Sequence, residues 1–113
     1  MGDDSLRIAL TTLDDAAAAA ALARTLVEER LAACVNVVEG VLSVYRWKGG
    51  IEAAHEHLLV IKTTAAAWPR CERRLRELHP YELPEIVVLA TAGADAAYAR
   101  WIAASVDAAA PGS

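Results

Sequence analysis

Apolar and polar residues alternate in four segments of this chain, whereas in three others the apolar residues recur every three or four positions. Alternation is typical of strands, because successive strand side chains point to opposite faces, and the longer repeat is typical of helices. The predicted elements are strand 6–12, helix 16–33, strand 34–47, strand 51–63, a helix between Thr64 and Pro80, strand 86–90 and helix 94–106. This order predicts an α+β, ferredoxin-like βαββαβ sandwich with an extra C-terminal helix, in which a four-stranded antiparallel sheet carries two helices on one face.

Local signals mark where the first two helices begin. Thr12, Asp14 and Asp15 precede the first helix and are candidate caps. Side chains of these types accept hydrogen bonds from the free N–H groups of the first turn. Thr63 or Thr64 is the corresponding candidate before the second helix.

The two central strands and the turn Lys48-Gly49-Gly50 predict a hairpin that is long for so small a protein. A strand of about 14 residues is about 46 Å long at roughly 3.3 Å per residue, whereas a globule of this length has a radius of gyration of about 13 Å. The hairpin must therefore project, or bend at Gly40. Its tip carries Tyr45, Trp47 and Ile51. Because an exposed apolar hairpin favours self-association, we expect a closed homo-oligomer in which hairpins pair with neighbouring subunits.

Length, charge and cysteine content narrow the class of protein. The 113 residues suffice for one domain, 1–113, with an ordered core at about 6–107 and a frayed tail, 107–113. The net charge of −4, without a basic stripe, argues against nucleic acid or an anionic membrane as a partner. We find no apolar run that could span a bilayer, no secretory signal and no disulfide framework. We therefore expect a reduced, cytoplasmic protein.

The loop 79–86 carries several side chains that can bind ligands or transfer protons, and its backbone is stiff. Pro80 and Pro84 restrict its conformation between the second helix and the last strand. It carries an imidazole, a phenol and two carboxylates, which are His79, Tyr81, Glu82 and Glu85. Such a loop is a candidate site, and the alternative is a plain connector between helix and strand.

The candidate metal ligands are His79, Cys34, Glu82 and Glu85. These residue types bind copper or zinc, although no two of them are closely spaced in the manner of a metal motif. Cys34 is also expected as a small buried apolar side chain, and Cys71 lies on the apolar stripe of its helix and is expected in the core.

His55 and His57 form a weaker alternative metal site. They are two residues apart on a predicted strand, so they point to the same face. The alternative is a solvated strand that happens to carry two histidines. We find no arrangement of a nucleophile with a base, so we expect a protein that is not an enzyme.

Four blocks of this sequence resemble the CutA divalent-cation-tolerance family. They are LAACVN at 31–36, YRWKG at 45–49, IKTT at 61–64 and HPYELPEI at 79–86, within a similarity that runs from about Ile8 to Val106. The resemblance implies a ferredoxin-like homotrimer, cytoplasmic and heat-stable, similar in assembly to PII-type signalling proteins. It also implies copper placed with Cys and His side chains, where His79 matches a family histidine and Cys34 a family cysteine. Leu78 and Thr11 stand where some members carry a further His and Cys.

Two functions follow from these observations. The first is a trimeric, non-enzymatic divalent-cation-tolerance protein that binds copper or another divalent metal ion. The alternative is a PII-like signalling or scaffold trimer that binds a small anionic ligand or a protein in a cleft between subunits. The residues expected in that cleft are Tyr45, Trp47, Lys62, His79, Tyr81 and Glu82.

Overall fold

The computed structural model describes residues 3–107 and contains every element that the sequence predicts. In chain order these are β1 (Leu6–Leu13), α1 (Ala16–Glu28), β2 (Cys34–Trp47), β3 (Gly50–Thr64), α2 (Trp68–Leu78), β4 (Val87–Ala90) and α3 (Ala96–Ser105). The four strands form one antiparallel sheet in the order β2-β3-β1-β4. The βαββαβ order and the extra C-terminal helix are therefore confirmed. None of the helices within 3–107 is long and apolar enough to cross a membrane.

One face of the sheet, here called the covered face, packs against α1 and α2. Its buried side chains and those of the two helices form the main core, which includes Ala9, Leu13, Leu59, Ile61, Leu22, Leu26, Cys71 and Leu75. Cys71 lies in this core, as expected, and burial raises the pKa of its thiol to about 12. The thiol is therefore neutral and unreactive at physiological pH.

The opposite face, here called the open face, is covered only at one end. There Ile102 and Val106, from α3 and its C-terminal end, form a second apolar cluster with Leu6, and Ile8 packs against it. Farther along the strands, Leu58 and its neighbours remain half-buried in the single chain. The chain thus supplies helices for one face and part of the other.

Helix α1 is shorter than its sequence predicts, because it ends at Glu28 and not at Ala33. Asp15 caps its beginning, accepting a hydrogen bond from the N–H of Ala17 at 2.9 Å. At the other end Arg30 adopts a left-handed conformation (φ 60°), and the N–H of Leu31 returns to the carbonyl of Leu26 at 2.9 Å. The alanine-rich composition favours helix throughout, but this tertiary turn stops it.

Helices α2 and α3 differ from the prediction at their other ends, because each begins a few residues later than the sequence predicts. Ala67 is the N-cap of α2. Thr64 lies before the helix, and its hydroxyl oxygen accepts a hydrogen bond from the N–H of Ala67 at 3.2 Å. Thr63 does not cap this helix, because its hydroxyl donates to the carbonyl of Leu31 at 2.7 Å. At the start of α3, Asp95 accepts from the N–H of Tyr98 at 3.0 Å.

The hairpin of β2 and β3 projects and also bends, as its length requires. The principal extents are 46 × 31 × 25 Å, and the side chains of Val44 and Ile51 are 65% and 63% exposed. The register shifts between Val38 and Val41, next to Gly40 at φ +73°, which confirms the predicted bulge. Lys48 (φ 50°) and Gly49 (φ 80°) form the two-residue turn, where positive φ angles match the twist of the strands.

Asp107 is the residue at which the predicted ordered core ends and the predicted frayed tail begins. Its N–H donates to the carbonyl of Arg30 at 2.9 Å, and its carboxylate accepts from the Arg30 guanidinium at 2.9 Å. The rest of that prediction concerns 108–113, which lie outside the described residues.

Candidate functional site beside the loop between α2 and β4

His79 ties the start of the loop to the end of β1. Its side chain is buried (7% exposed), with Nε2 2.9 Å from the carbonyl oxygen of Thr12. The backbone N–H of Tyr81 donates to Nδ1 at 3.1 Å. Since Nδ1 accepts this bond, the ring proton lies on Nε2 and is donated to Thr12. The imidazole is therefore neutral, with both nitrogens engaged.

Burial is the main cause that lowers the pKa of His79 below its ordinary value. The hydrogen bond to Thr12 and the negative charge of Glu56 oppose this effect only in part. Protonation would place a second N–H on Nδ1, directly against the N–H of Tyr81. A metal ion meets the same obstacle, because it could bind His79 only after one of the two hydrogen bonds breaks.

Tyr81 joins the loop to β3 through a buried carboxylate. Its hydroxyl donates to Oε2 of Glu56 at 2.7 Å, and its ring meets that of His79 edge-on, with 4.8 Å between centroids. Glu56 is only 8% exposed. Burial, then the hydrogen bond and charge of Glu56, raise the pKa of the Tyr81 phenol, so it remains a neutral donor.

Next to this pair lies a cleft of about 1100 Å³ between the loop and the outer half of the hairpin. Tyr81 lines it from the loop, and Tyr45 and Trp47 line it from β2. Thr12 and Ala54 contribute from β1 and β3. The cleft therefore lies at the end of the sheet away from α3, with aromatic side chains on two of its walls.

The charge of this cleft is entirely negative. Its lining contains the carboxylates of Asp14, Glu56, Glu82 and Glu85. Among the described residues that line it, none is a Lys, an Arg or a His. Such a cleft attracts cations and repels anions.

Of the six residues expected in a cleft between subunits, four line this cleft within one chain. Tyr45, Trp47, Tyr81 and Glu82 line it. His79 lies behind Tyr81 and braces it. Lys62 is elsewhere, with its Nζ 5.7 Å from the ring centre of Tyr98 on α3.

The candidate metal ligands are divided between two places. Glu82 and Glu85 line the cleft. Cys34, by contrast, pairs with Lys62, which pairs with Ile8 on β1. Along β1, Ile8 is four residues from Thr12, whose carbonyl contacts His79. At roughly 3.3 Å per residue, Cys34 is therefore about 13 Å along the sheet from the position of Thr12.

Close metal clusters are absent from the part of the chain that the structure describes, where no three His, Cys, Asp or Glu side chains converge. His55 lies opposite Leu42 on the exposed hairpin, and His57 lies opposite Leu13 and is half-buried. Nδ1 of His57 has no hydrogen-bond partner within 3–107.

Three residues of the site were not singled out from the sequence for this role: Glu56, Thr12 and Asp14. Glu56 carried a usable signal. It lies two residues before Leu58 on the same strand face, and a carboxylate on an apolar row must find a partner or a ligand. Thr12 contributes a backbone carbonyl to His79, and no sequence pattern reveals such a role.

The fold and the site define a small ferredoxin-like protein with a projecting hairpin and an acidic, aromatic-walled cleft. The model of the family described as CutA1 divalent ion tolerance protein matches residues 7–105. The divalent-cation tolerance protein CutA of Thermus thermophilus is 45% identical over 84% of this chain and 92% of its own length. Human protein CutA is 38% identical over 87% of this chain, which spans 55% of that protein. This chain belongs to the CutA1 divalent ion tolerance family, as its four sequence blocks predicted.

Solved structures of relatives share the fold along nearly their whole length. The divalent cation tolerance protein (Cut A1) of Thermus thermophilus superposes with a TM-score of 0.87 and 42% identity, covering 90% of this chain and 99% of that one. CutA of Xylella fastidiosa gives 0.88 and 39%, covering 91% and 99%. These likenesses confirm the α+β fold class.

Proposed function

We propose that this protein acts in divalent-cation tolerance by binding divalent cations at the acidic cleft. The observation that supports this function is the lining itself, with four carboxylates and, among its described residues, no basic side chain. The names of the relatives refer to tolerance of divalent cations and to no reaction. We therefore propose binding without catalysis, and we propose a cytoplasmic location because the family resemblance implies it.

The donors in the cleft fit a hard, hydrated cation better than copper. Carboxylate oxygens suit Mg²⁺, Ca²⁺ and Mn²⁺, whereas copper prefers imidazole and thiolate. We propose Glu82 and Glu85 as the residues that hold the ion, with affinity limited because fewer than three side chains converge in the described part of the chain. Copper binding at His79 would require the ring to release Thr12 or Tyr81.

Titration with Mn²⁺ and Cu²⁺ tests both versions. We expect Glu82→Gln with Glu85→Gln to weaken Mn²⁺ binding about tenfold, as for the loss of a charged contact. Glu28→Gln, an exposed change of the same charge on α1, serves as the control. Unchanged Mn²⁺ affinity in the double variant would contradict the proposed site. Cu²⁺ binding that is lost in His79→Ala, and retained in the double variant, would assign copper to the histidine.

We also propose that the functional unit is a homotrimer. The support is the exposed apolar surface of the hairpin and of the open face, together with the assembly that the family resemblance implies. Such a surface is costly in a free monomer. Sedimentation equilibrium should give three times the 12.0 kDa chain mass. A stable monomer at micromolar concentration would contradict this.

A second function, binding of a small molecule in the same cleft, is favoured by its aromatic walls and polar groups, in a volume just above the usual range. Small-molecule sites commonly measure about 300–1,000 Å³ and combine aromatic walls with a few polar groups. The expected anionic ligand does not fit the charge, because Lys62 lies outside the lining and carboxylates dominate it. A cationic ligand is the better match.

A further inference from the structure

Two pairs of exposed aromatic side chains lie at opposite ends of the sheet. Tyr45 and Trp47 form a wall of the cleft, whereas Tyr98 and Trp101 lie on α3. Each of these four side chains is between 38% and 48% exposed, and the other Tyr and Trp residues within 3–107 are more deeply buried. Rings of this size contribute most when they are buried, so exposed pairs of them mark surfaces that contact another protein.

The aromatic pair on α3 is accompanied by positive charge. The rings of Tyr98 and Trp101 are in contact, with 5.6 Å between their centroids, and Nζ of Lys62 lies 5.7 Å from the ring centre of Tyr98. Arg100, the residue before Trp101, is exposed and is the only charged residue of α3. Within 3–107 neither Lys62 nor Arg100 forms an ion pair with a carboxylate. These four residues are here called the α3 rim, a surface that is aromatic and basic.

The cleft has the same kind of aromatic wall and the opposite charge. Its lining contains four carboxylates and, among the described residues, no basic side chain. The α3 rim therefore complements the cleft in charge, and a contact between them would bury both aromatic pairs. The two surfaces of one copy cannot meet each other, because they lie at opposite ends of the sheet. A contact between them must join two copies of the chain head to tail.

Other exposed basic side chains fit the cleft less well. Arg46 and Lys48 lie at the tip of the hairpin that already supplies the aromatic wall of the cleft. Arg24 and Arg76 form ion pairs within α1 and α2, and the described part of these two helices has no exposed Tyr or Trp. Away from the cleft, the α3 rim is therefore the surface of the described chain that combines exposed rings with positive charge.

We propose that the α3 rim of a second copy of this chain docks at the cleft, and that this copy supplies the basic side chains that the cleft lacks. The cleft is then complete only in the oligomer. A head-to-tail contact of this kind, repeated three times, closes into a ring. The inference rests on the proposed homotrimer and names the two surfaces that join its subunits.

Charge reversal on each surface, followed by sedimentation equilibrium of the full-length protein, tests the docking. The buffer contains EDTA, so that no metal ion in the cleft affects the result. We expect Arg100→Glu and Glu82→Arg each to raise the dissociation constant about tenfold for each contact, because like charges then face each other. The two changes together should restore most of the wild-type affinity. Arg24→Glu, the same reversal at an exposed position of α1, should leave the assembly unchanged.

The outcomes separate this contact from the proposals on which it rests. Equal association of wild type, Arg100→Glu and Arg24→Glu would overturn the contact and leave the proposed homotrimer and cation site standing. Weakening in both single variants without recovery in the double variant would also overturn it. A wild-type protein that stays monomeric would contradict the contact and the homotrimer together, while Mn²⁺ titration would still decide the cation site.

The aromatic part of the contact is tested independently of charge. We expect Trp101→Ser to weaken association about tenfold, because a ring that the contact buries is lost. Val27→Ser on α1 is the matched control, since Val27 is 40% exposed and belongs to neither surface. Far-UV circular dichroism of each variant shows whether α3 remains folded. Association that is unchanged in a folded Trp101→Ser variant, or equally weakened in Val27→Ser, would overturn the proposal.

Discussion

Leu58 and Leu59 are neighbours on β3, yet they belong to opposite faces of the sheet. Leu59 is fully buried on the covered face, whereas Leu58 is half-buried on the open face. Both faces are apolar, but α1 and α2 bury the centre of one of them, whereas α3 closes only an end of the other. The comparison teaches that alternation assigns residues to faces, whereas the number of helices decides which face a single chain can close. The open face is the surface that the proposed trimer would cover.

The largest effect should come from shortening these two leucines in turn. We expect Leu59→Ala to lower the free energy of unfolding by about 2–5 kcal/mol, because it leaves a cavity in the core. Leu58→Ala should cost about 1 kcal/mol if the open face is solvated. Urea unfolding at two protein concentrations measures both.

The outcome for Leu58→Ala sharpens the comparison. A cost equal to that of Leu59→Ala, and dependent on protein concentration, would show that another chain covers the open face. Equal and concentration-independent costs would contradict the distinction between the two faces.

A second, smaller effect concerns the buried pair beside the cleft. Tyr81→Phe removes the only hydrogen-bond donor that Glu56 has among the described residues. We expect a loss of about 1–3 kcal/mol, the usual cost of leaving a buried polar group unsatisfied. Tyr98→Phe is the matched control, since within 3–107 the Tyr98 hydroxyl makes no hydrogen bond, and we expect a change within about 0.5 kcal/mol. A similar loss in both variants would mean that the Tyr81 bond contributes nothing specific.

His79 should make stability depend on pH in the same region. Its pKa in the folded protein is lowered from 6.5, so the unfolded chain binds the proton more readily. The stabilisation that neutral His79 contributes is fully present above about pH 6.5, the pKa of the unfolded chain. It is lost as the pH falls toward the lower pKa of His79 in the folded protein. The free energy of unfolding measured between pH 5 and pH 8 should fall less steeply on the acid side in His79→Gln. Parallel profiles for the two proteins would exclude His79 as the cause.

The sequence predicted the fold well and the site only in part, for reasons that individual residues show. Alternation and the proline-framed loop are local signals, so the element order and the positions of Tyr81, Glu82 and Glu85 were accessible. The end of α1 was not, because Arg30 turns the chain through contacts with Asp107, 77 residues away. The pairing of Glu56 with Tyr81 likewise joins strand and loop across 25 residues. The candidate metal ligands Cys34 and His79 share only a suitable residue type, and the strand register separates them.

Two buried threonines on the covered face differ in whether their hydroxyl groups have a hydrogen-bond partner. Thr11 and Thr63 are both fully buried, on adjacent strands. The Thr63 hydroxyl donates to Leu31, whereas the Thr11 hydroxyl has no partner within 3–107. Replacement by valine should therefore stabilise at Thr11 and destabilise at Thr63, by about 1 kcal/mol in each case. Opposite signs in paired thermal melts support this account, and a loss at both positions would contradict it.

The smallest effect should come from the two residues other than glycine that adopt left-handed backbone within 3–107, Lys48 and Arg30. Asparagine tolerates this conformation better than either, and Asn-Gly is the preferred turn of a two-residue hairpin. Lys48→Asn at the exposed tip should therefore stabilise by about 0.5 kcal/mol, a rise in Tm of about 2–4 °C. Arg30→Asn gains the same backbone relief but loses the guanidinium contacts to Asp107 and to the carbonyl of Ala104, so we expect a net loss of about 1 kcal/mol. If both variants stabilise, the Arg30 contacts contribute less than backbone strain, and the end of α1 is set by the turn alone.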